Sequence, residues 1–282
     1  MFSFKKDGQP ESTITDEEYI DYVNKAKDHC KRGDVFQLVL SRRFMQKFSG
    51  DEFNVYRALR SINPSPYLFF FDYGDYKIFG SSPEAQIIIK DGKSEIHPIA
   101  GTFKRTGNDE EDHVRALELA KDPKENSEHI MLVDLARNDL SRSGNNVKVE
   151  KNREIQFYSH VIHLVSKVTA ILKKNIKSFK VVEDTFPAGT LTGAPKHKAL
   201  ELIEKYEKVN RNSYGGAIGY IDFNGNFNHA IIIRSFFSQN NILNYQAGAG
   251  IVIDSVPEKE LEEVKNKLGA LDKALSDAEL IK

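Results

Sequence analysis

The chain has 282 residues, 40% of them hydrophobic and 29% charged, with a formal net charge of −1. That size and apolar share suffice for one large domain or two intimate ones, and the near-zero charge removes any electrostatic reason to expect nucleic acid or a membrane as partner. The single cysteine, Cys30, excludes an internal disulfide framework and fits a reducing, cytoplasmic compartment.

Residues 1–6 hold no apolar signal segment, and residues 1–14 read as an N-terminal extension. Thr15-Asp16-Glu17-Glu18 has the form of a capping box opening a helix, with Gly33 placed to close it. Residues 35–44 read as a strand, 51–61 as a helix, and Asn63-Pro64-Ser65-Pro66 as its break. Short strands are expected at 67–72, 77–80 and 85–90; the aromatic run in the first is far too short to span a bilayer. A helix over 109–121 ends at Asp122-Pro123, which starts another reaching about residue 137. Residues 147–170 are β-branched and mostly extended, 173–180 form a polar connection suited to a mobile loop, and 195–209 read as a helix.

A meander follows: strands at 214–223, 227–238 and 242–253, joined at Asn224-Gly225 and Gln239-Asn240-Asn241. Asn-Gly between apolar runs is a strong hairpin signal. Ser255-Val256-Pro257-Glu258 reads as a second capping box before a last helix. Helices and antiparallel strands in blocks give an α+β fold, with helices packed outside antiparallel sheets.

Two glycine segments invite nucleotide readings, and both fail. Gly189-Thr190-Leu191-Thr192-Gly193-Ala194-Pro195-Lys196 has three residues between its glycines where a phosphate loop needs four, and no lysine directly after the second. Gly248-Ala249-Gly250 follows a meander and has Ile253 where a dinucleotide fingerprint needs its third glycine. What survives is backbone able to approach an anion closely, or plain turns and bulges. Arg234 lies in a run apolar on both faces, so it needs a partner: an internal carboxylate, or a ligand carboxylate gripped bidentately.

Glu125 with Glu128, and Glu260 with Glu263, are pairs spaced i,i+3 on helices, which turns both carboxylates of a pair the same way. Such pairs can supply oxygens to Mg²⁺, or simply favour helix first turns, with Glu125 as cap partner of Asp122. His160 and His163 sit in an extended segment and point to opposite faces, and none of the eight histidines forms a zinc pattern with Cys30. Glu84, in Ser81-Ser82-Pro83-Glu84, is a carboxylate at a strand-end turn, where a raised pKa would suit a general acid and a turn role is the plain alternative.

Taken together, Gly33-Asp34-Val35-Phe36-Gln37-Leu38-Val39-Leu40-Ser41, Asn63-Pro64-Ser65-Pro66-Tyr67, Gly80-Ser81-Ser82-Pro83-Glu84 and Pro98-Ile99-Ala100-Gly101-Thr102 form an ordered series. It continues with Glu128-His129-Ile130-Met131-Leu132-Val133-Asp134-Leu135-Ala136-Arg137-Asn138-Asp139, Tyr158-Ser159-His160-Val161, the segment 189–196, Tyr214-Gly215-Gly216-Ala217-Ile218-Gly219-Tyr220 and the segment 246–257. In that order the segments resemble the chorismate-utilising enzymes, most closely anthranilate synthase component I, over residues 15–274.

The resemblance implies the family's sandwich-like core of antiparallel sheets flanked by helices, a chorismate-binding catalytic domain over 15–276, and a tail at 277–282. It implies that Glu128 and Glu263 hold Mg²⁺, assisted by Glu125 and Glu260. Thr190, Gly248, Ala249, Gly250 and Lys267 would surround the ring carboxylate of chorismate, and Tyr214 and Arg234 the enolpyruvyl carboxylate. Gln37 and Thr102 would also line the substrate pocket. Glu84 would be the general acid for the departing ring hydroxyl, and His163 would assist proton transfer. Gln37 stands where isochorismate and salicylate synthases place a lysine base, and Ala100 where aminodeoxychorismate synthases commonly carry a lysine nucleophile. Both substitutions point to amination giving anthranilate and pyruvate in tryptophan biosynthesis, with ammonia from a glutamine amidotransferase subunit. The alternatives are 4-amino-4-deoxychorismate synthesis and an inactive chorismate-binding fragment. The family's longer N-terminal region, which completes one sheet and half of a tryptophan inhibitor site, has no counterpart here.

Overall fold

The computed structural model describes residues 3–157 and 161–281, without the side chains of Ala100, Thr102, Lys104 and Lys124. The chain runs β1 (Phe4–Ser12), α1 (Asp16–Lys31), β2 (Gln37–Gly50), α2 (Phe53–Ile62), β3 (Tyr67–Asp72), β4 (Lys77–Ser82), β5 (Ala85–Lys90), β6 (Lys93–Ile96) and β7 (Ile99–Lys104). It continues α3 (Asp109–Lys121), α4 (Pro123–Ser143), β8 (Gly144–Phe157), β9 (Val161–Leu172), α5 (Ser178–Thr185), the short turn α6 (Gly189–Thr192), β10 (Gly193–Ala194) and α7 (Lys196–Tyr206). It ends β11 (Ala217–Ile221), β12 (Phe227–Ile231), β13 (Ser235–Gln239), β14 (Ile242–Ile251) and α8 (Pro257–Ala278). The α+β expectation holds, with two antiparallel sheets, one in each of two compact units.

The first unit comprises Met1–Pro83, Leu191–Ala217 and Ile231–Lys282. Its sheet runs β1-β2-β14-β13-β4-β3, with β10 on β2. The centre is the β2–β14 ladder, in register from Lys47↔Ile242 to Leu38↔Ile251. Helix α1 starts where the sequence placed it: Thr15 Oγ1 accepts from the Glu18 N–H and Glu18 returns to the Thr15 N–H, leaving two fewer orphan donors. It buries Tyr19, whose hydroxyl donates to Leu40 O at 3.1 Å. Helix α8 carries Leu261, Val264, Leu268, Leu271 and Leu275 at helical spacing, and all are buried. Each such leucine contributes about 1.5–3 kcal/mol on leaving water.

The second unit comprises Glu84–Thr190 and Ile218–Ala230. Its sheet runs β11-β12-β5-β6-β9-β7, with β8 on β9. Ile87, Ile89, Val133, Leu140, Val168 and Phe227 form its main core, and Leu119, Ile162 and Leu164 lie in a smaller one. Asp122 caps α4 by accepting from the Glu125 N–H at 3.0 Å, and Pro123 takes the first turn, where no N–H is needed.

Several local expectations are corrected. Within the supposed extension over residues 1–14, Phe4–Ser12 is an edge strand paired with β2; its polar alternation conceals it. Strands β6 and β7 are additional, β2 continues to Gly50 and α4 to Ser143. Helix α5 takes the last residues of the connection read as a loop. The run 227–238 is two strands in different sheets, β12 and β13. Ser255 does not cap α8: its Oγ accepts from the Val252 N–H at 3.0 Å, and Val256 occupies the cap position without a side-chain bond. Among the described residues, no helix is long and apolar enough to cross a membrane.

Candidate active site

Arg234 occupies the break between β12 and β13, with a left-handed φ of +51°. It is therefore not on a strand covered on both sides; the chain leaves one sheet for the other here, and the turn sets the guanidinium's direction. Its carbonyl accepts from the Ser81 N–H at 3.0 Å, and its Nη1 donates to Lys267 O at 2.7 Å. Among the described residues no carboxylate forms an ion pair with it, so the internal salt bridge is not made. Burial lowers its pKa, against the opposing influence of Tyr214 and Glu263.

Tyr214 is held close by. Its N–H donates to Arg211 O at 3.0 Å, and the next residue ties the turn to the chain just before Arg234 through Gly215 N–H to Ile232 O at 2.9 Å. Burial pushes the phenol pKa up to about 12, although the Arg211 and Arg234 charges pull it down. At neutral pH Tyr214 is a hydroxyl donor. On β14, Gly248 pairs with Ser41, and a Cβ there would lie 2.7 Å from Leu40 O, so only glycine leaves the two strands at pairing distance. Lys267 donates to Gly248 O at 2.9 Å and to Glu263 Oε1 at 2.6 Å. Ala249 and Gln37 are buried, Gln37 opposite Ala194 at the start of β2, and Gly250 is half-buried. The Glu260–Glu263 pair is split by environment: Glu260 is 2% exposed, whereas the Glu263 side chain is 44% exposed.

In the second unit, Thr190 Oγ1 donates to Glu84 Oε1 at 2.8 Å, joining two residues proposed from distant motifs. His163 Nδ1 meets Gly101 O at 2.8 Å, which assigns the proton to Nδ1, since a carbonyl only accepts. Gly101 has φ +69°, and a Cβ on it would stand 2.6 Å from Leu119 and 3.2 Å from Glu125 Oε2, so Glu125 lies against the same turn. Glu128 is half-buried on α4. Thr102 pairs through its backbone with His163, while its side chain and residue His160 lie outside the described residues.

The profile of the chorismate binding enzyme family matches residues 3–273. The chain belongs to that family. It is similar to anthranilate synthase component 1 of Aquifex aeolicus, 48% identical over 270 residues that cover 95% of this chain and 55% of the relative. The component of the same description from Bacillus subtilis is 49% identical, over 91% of this chain and 50% of its own length. The crystal structure of anthranilate synthase component I from Streptococcus pneumoniae superposes with a TM-score of 0.87 at 40% identity, covering 93% of this chain and 59% of that one. The menaquinone-specific isochorismate synthase of Escherichia coli, at 23% identity and a TM-score of 0.89, shares the fold. This chain spans about half the length of the curated relatives it matches.

For a chorismate binding enzyme the donor chemistry of the two glutamate pairs suits Mg²⁺, which takes oxygen ligands and commonly binds one or two carboxylates plus water. Among the described residues no three histidine, cysteine, aspartate or glutamate side chains form a ready cage. Two residues that the motifs do not single out stand out in the structure. Glu207 and Arg211 form a buried pair beside Tyr214, with side chains 5% and 15% exposed. The signal was there, a glutamate four before an arginine just ahead of Tyr214-Gly215-Gly216, but the same spacing serves exposed helix pairs. A small open hollow on the first unit is lined by Arg43, Arg211, Ser213, Tyr214, Phe237 and Gln246; it shares Tyr214 with the site but not Arg234 or Gly248.

Proposed function

We propose that the chain is the catalytic region of an anthranilate synthase component I, working in the cytoplasm in tryptophan biosynthesis and converting chorismate and ammonia to anthranilate, pyruvate and water. One observation carries the reading: Arg234 is a half-buried guanidinium without an ion-pair partner among the described residues, next to the neutral phenol of Tyr214. Two donors of that kind suit a substrate carboxylate. The relatives' printed activity and the glutamine at position 37 support amination over hydration.

In this reading Arg234 and Tyr214 bind the enolpyruvyl carboxylate, and the backbone of Gly248 and Gly250 approaches the ring carboxylate. Ammonia adds to the ring while Glu84 protonates the departing hydroxyl, which leaves as water. Thr190 orients the Glu84 carboxyl through the 2.8 Å bond. His163, with Nδ1 committed to Gly101 O, is oriented to move the ring proton as the enolpyruvyl group departs as pyruvate and the ring becomes aromatic. Glu128 and Glu263, with Glu125 and Glu260, are the residues that would hold Mg²⁺; the ion would withdraw electron density from the ring through its carboxylate. Glu263 would then exchange its Lys267 contact for the metal. A glutamine amidotransferase subunit is the proposed source of ammonia.

The test is incubation with chorismate, ammonium and Mg²⁺, with products identified by mass and fluorescence. Anthranilate with equimolar pyruvate is the expected result. A product that keeps the pyruvyl group sinks the reading in favour of 4-amino-4-deoxychorismate synthesis. Mg²⁺-dependent chorismate binding without turnover sinks the catalytic reading and leaves chorismate binding alone.

A further inference from the structure

Among the described residues Arg211 makes four side-chain hydrogen bonds, with three different parts of the first unit. Its Nε and Nη2 grip Glu207 as a fork, at 2.8 and 2.5 Å. Nη1 donates to Leu191 O at 2.5 Å, within the segment 189–196, and Nη2 also donates to Val39 O at 2.8 Å, on β2. Glu207 Oε1 in turn accepts from the Ser41 N–H at 2.8 Å and from Ser41 Oγ at 2.7 Å, and Gln246 on β14 donates to Ser41 Oγ at 2.7 Å. The guanidinium stands 5.8 Å from the centre of the Tyr214 ring, and the turn into Tyr214 closes on Arg211 O.

This arrangement differs in kind from that of Arg234. Among the described residues Arg234 makes one side-chain bond, to a carbonyl, and no ion pair, leaving its fork for a ligand; Arg211 has its fork filled by Glu207 and its other two bonds there on backbone carbonyls. A buried charge so fully satisfied is a fastener, not a ligand-binding group. It also needs arginine, because the point charge of lysine cannot bridge a carboxylate fork and two carbonyls at once.

We infer that the Glu207–Arg211 pair is a positioning device that sets the Tyr214 ring against the carboxylate site and locks β2 and the Leu191 segment beside it. The inference rests on the reading of Tyr214 and Arg234 as the carboxylate pair. It predicts that Tyr214 shifts when the pair is altered, ligand present or not.

The test labels tyrosine with ¹³C at the ring and assigns the Tyr214 signal by its loss in Y214F. In the ligand-free chain that signal is expected to move in R211K and in S41A, the latter removing the hydroxyl's bonds to Glu207 and from Gln246 while keeping Arg211, and serving if R211K does not fold. Chorismate affinity measured by calorimetry with Mg²⁺ is expected to fall about tenfold in R211K, and less than twofold further when R211K is added to Y214F. An unmoved Tyr214 signal in every variant that folds, or fully additive losses of affinity, overturns the inference. Wild-type chain that takes up no chorismate overturns the functional reading alone, and the ligand-free spectra then decide the positioning role.

Discussion

Arg234 shows what a single residue's environment contributes. The apolar run around it signalled a desolvated cation, and the structure keeps that conclusion while changing its cause: the residue sits in a left-handed turn between two sheets. On the proposed reading, replacing it with alanine removes a substrate contact, and it breaks no ion pair among the described residues. The expected cost is therefore concentrated in turnover, about a hundredfold or more in kcat/KM for chorismate, with the melting midpoint moved by only a few degrees. Steady-state kinetics and a thermal melt on the same preparation check both halves. A large loss of stability with unchanged kinetics would return Arg234 to a structural role. Glu207 and Arg211 were less legible, because i,i+4 spacing is common on exposed surfaces and burial is a tertiary property.

At the scale of elements, legibility followed how local the determining interaction is. The Thr15 capping box and the Asn240-Asn241 turn, with φ values of +52° and +57°, are decided within a few residues, and both formed as read. The second capping box failed because Ser255 had a nearer partner in the Val252 N–H. Strand β1 escaped notice because Lys5, Lys6 and Asp7 carry no apolar alternation; pairing with β2, more than thirty residues away, makes it a strand. Thr15→Ala removes the one side-chain cap of the Glu18 N–H and is expected to cost about 1 kcal/mol. Urea unfolding should show a lower midpoint with an unchanged slope, since the surface exposed on unfolding is the same. An unchanged midpoint would mean that α1 is held by the packing of Tyr19, Tyr22 and Val23 alone.

At the scale of the molecule, the division into two units was hidden because neither is continuous in sequence: the chain leaves the first unit after Pro83, re-enters it at Leu191, leaves after Ala217 and returns at Ile231. Stability of such a fold depends on its buried groups, and His129, next in sequence to Glu128, is one whose effect can be followed with pH. It lies on α4 with no exposure, and its Nε2 meets Ser166 Oγ at 2.6 Å. That Oγ also accepts from the Arg153 N–H at 2.9 Å and lies 3.5 Å from Asn152 Oδ1. Burial first, then the Arg153 charge, lowers the His129 pKa to about 4, whereas the unfolded chain takes up the proton near the ordinary value of 6.5. Between those values the unfolded state binds more protons than the folded one, so stability falls as pH drops from 6.5 to about 4 and this contribution levels off below. The full loss is about 3 kcal/mol. His129→Gln retains a neutral hydrogen-bonding group for Ser166 without a titratable ring, so its unfolding free energy should lose less than that of the wild type between pH 7 and pH 4.5. Equal losses in the two proteins would place the acid sensitivity in other groups.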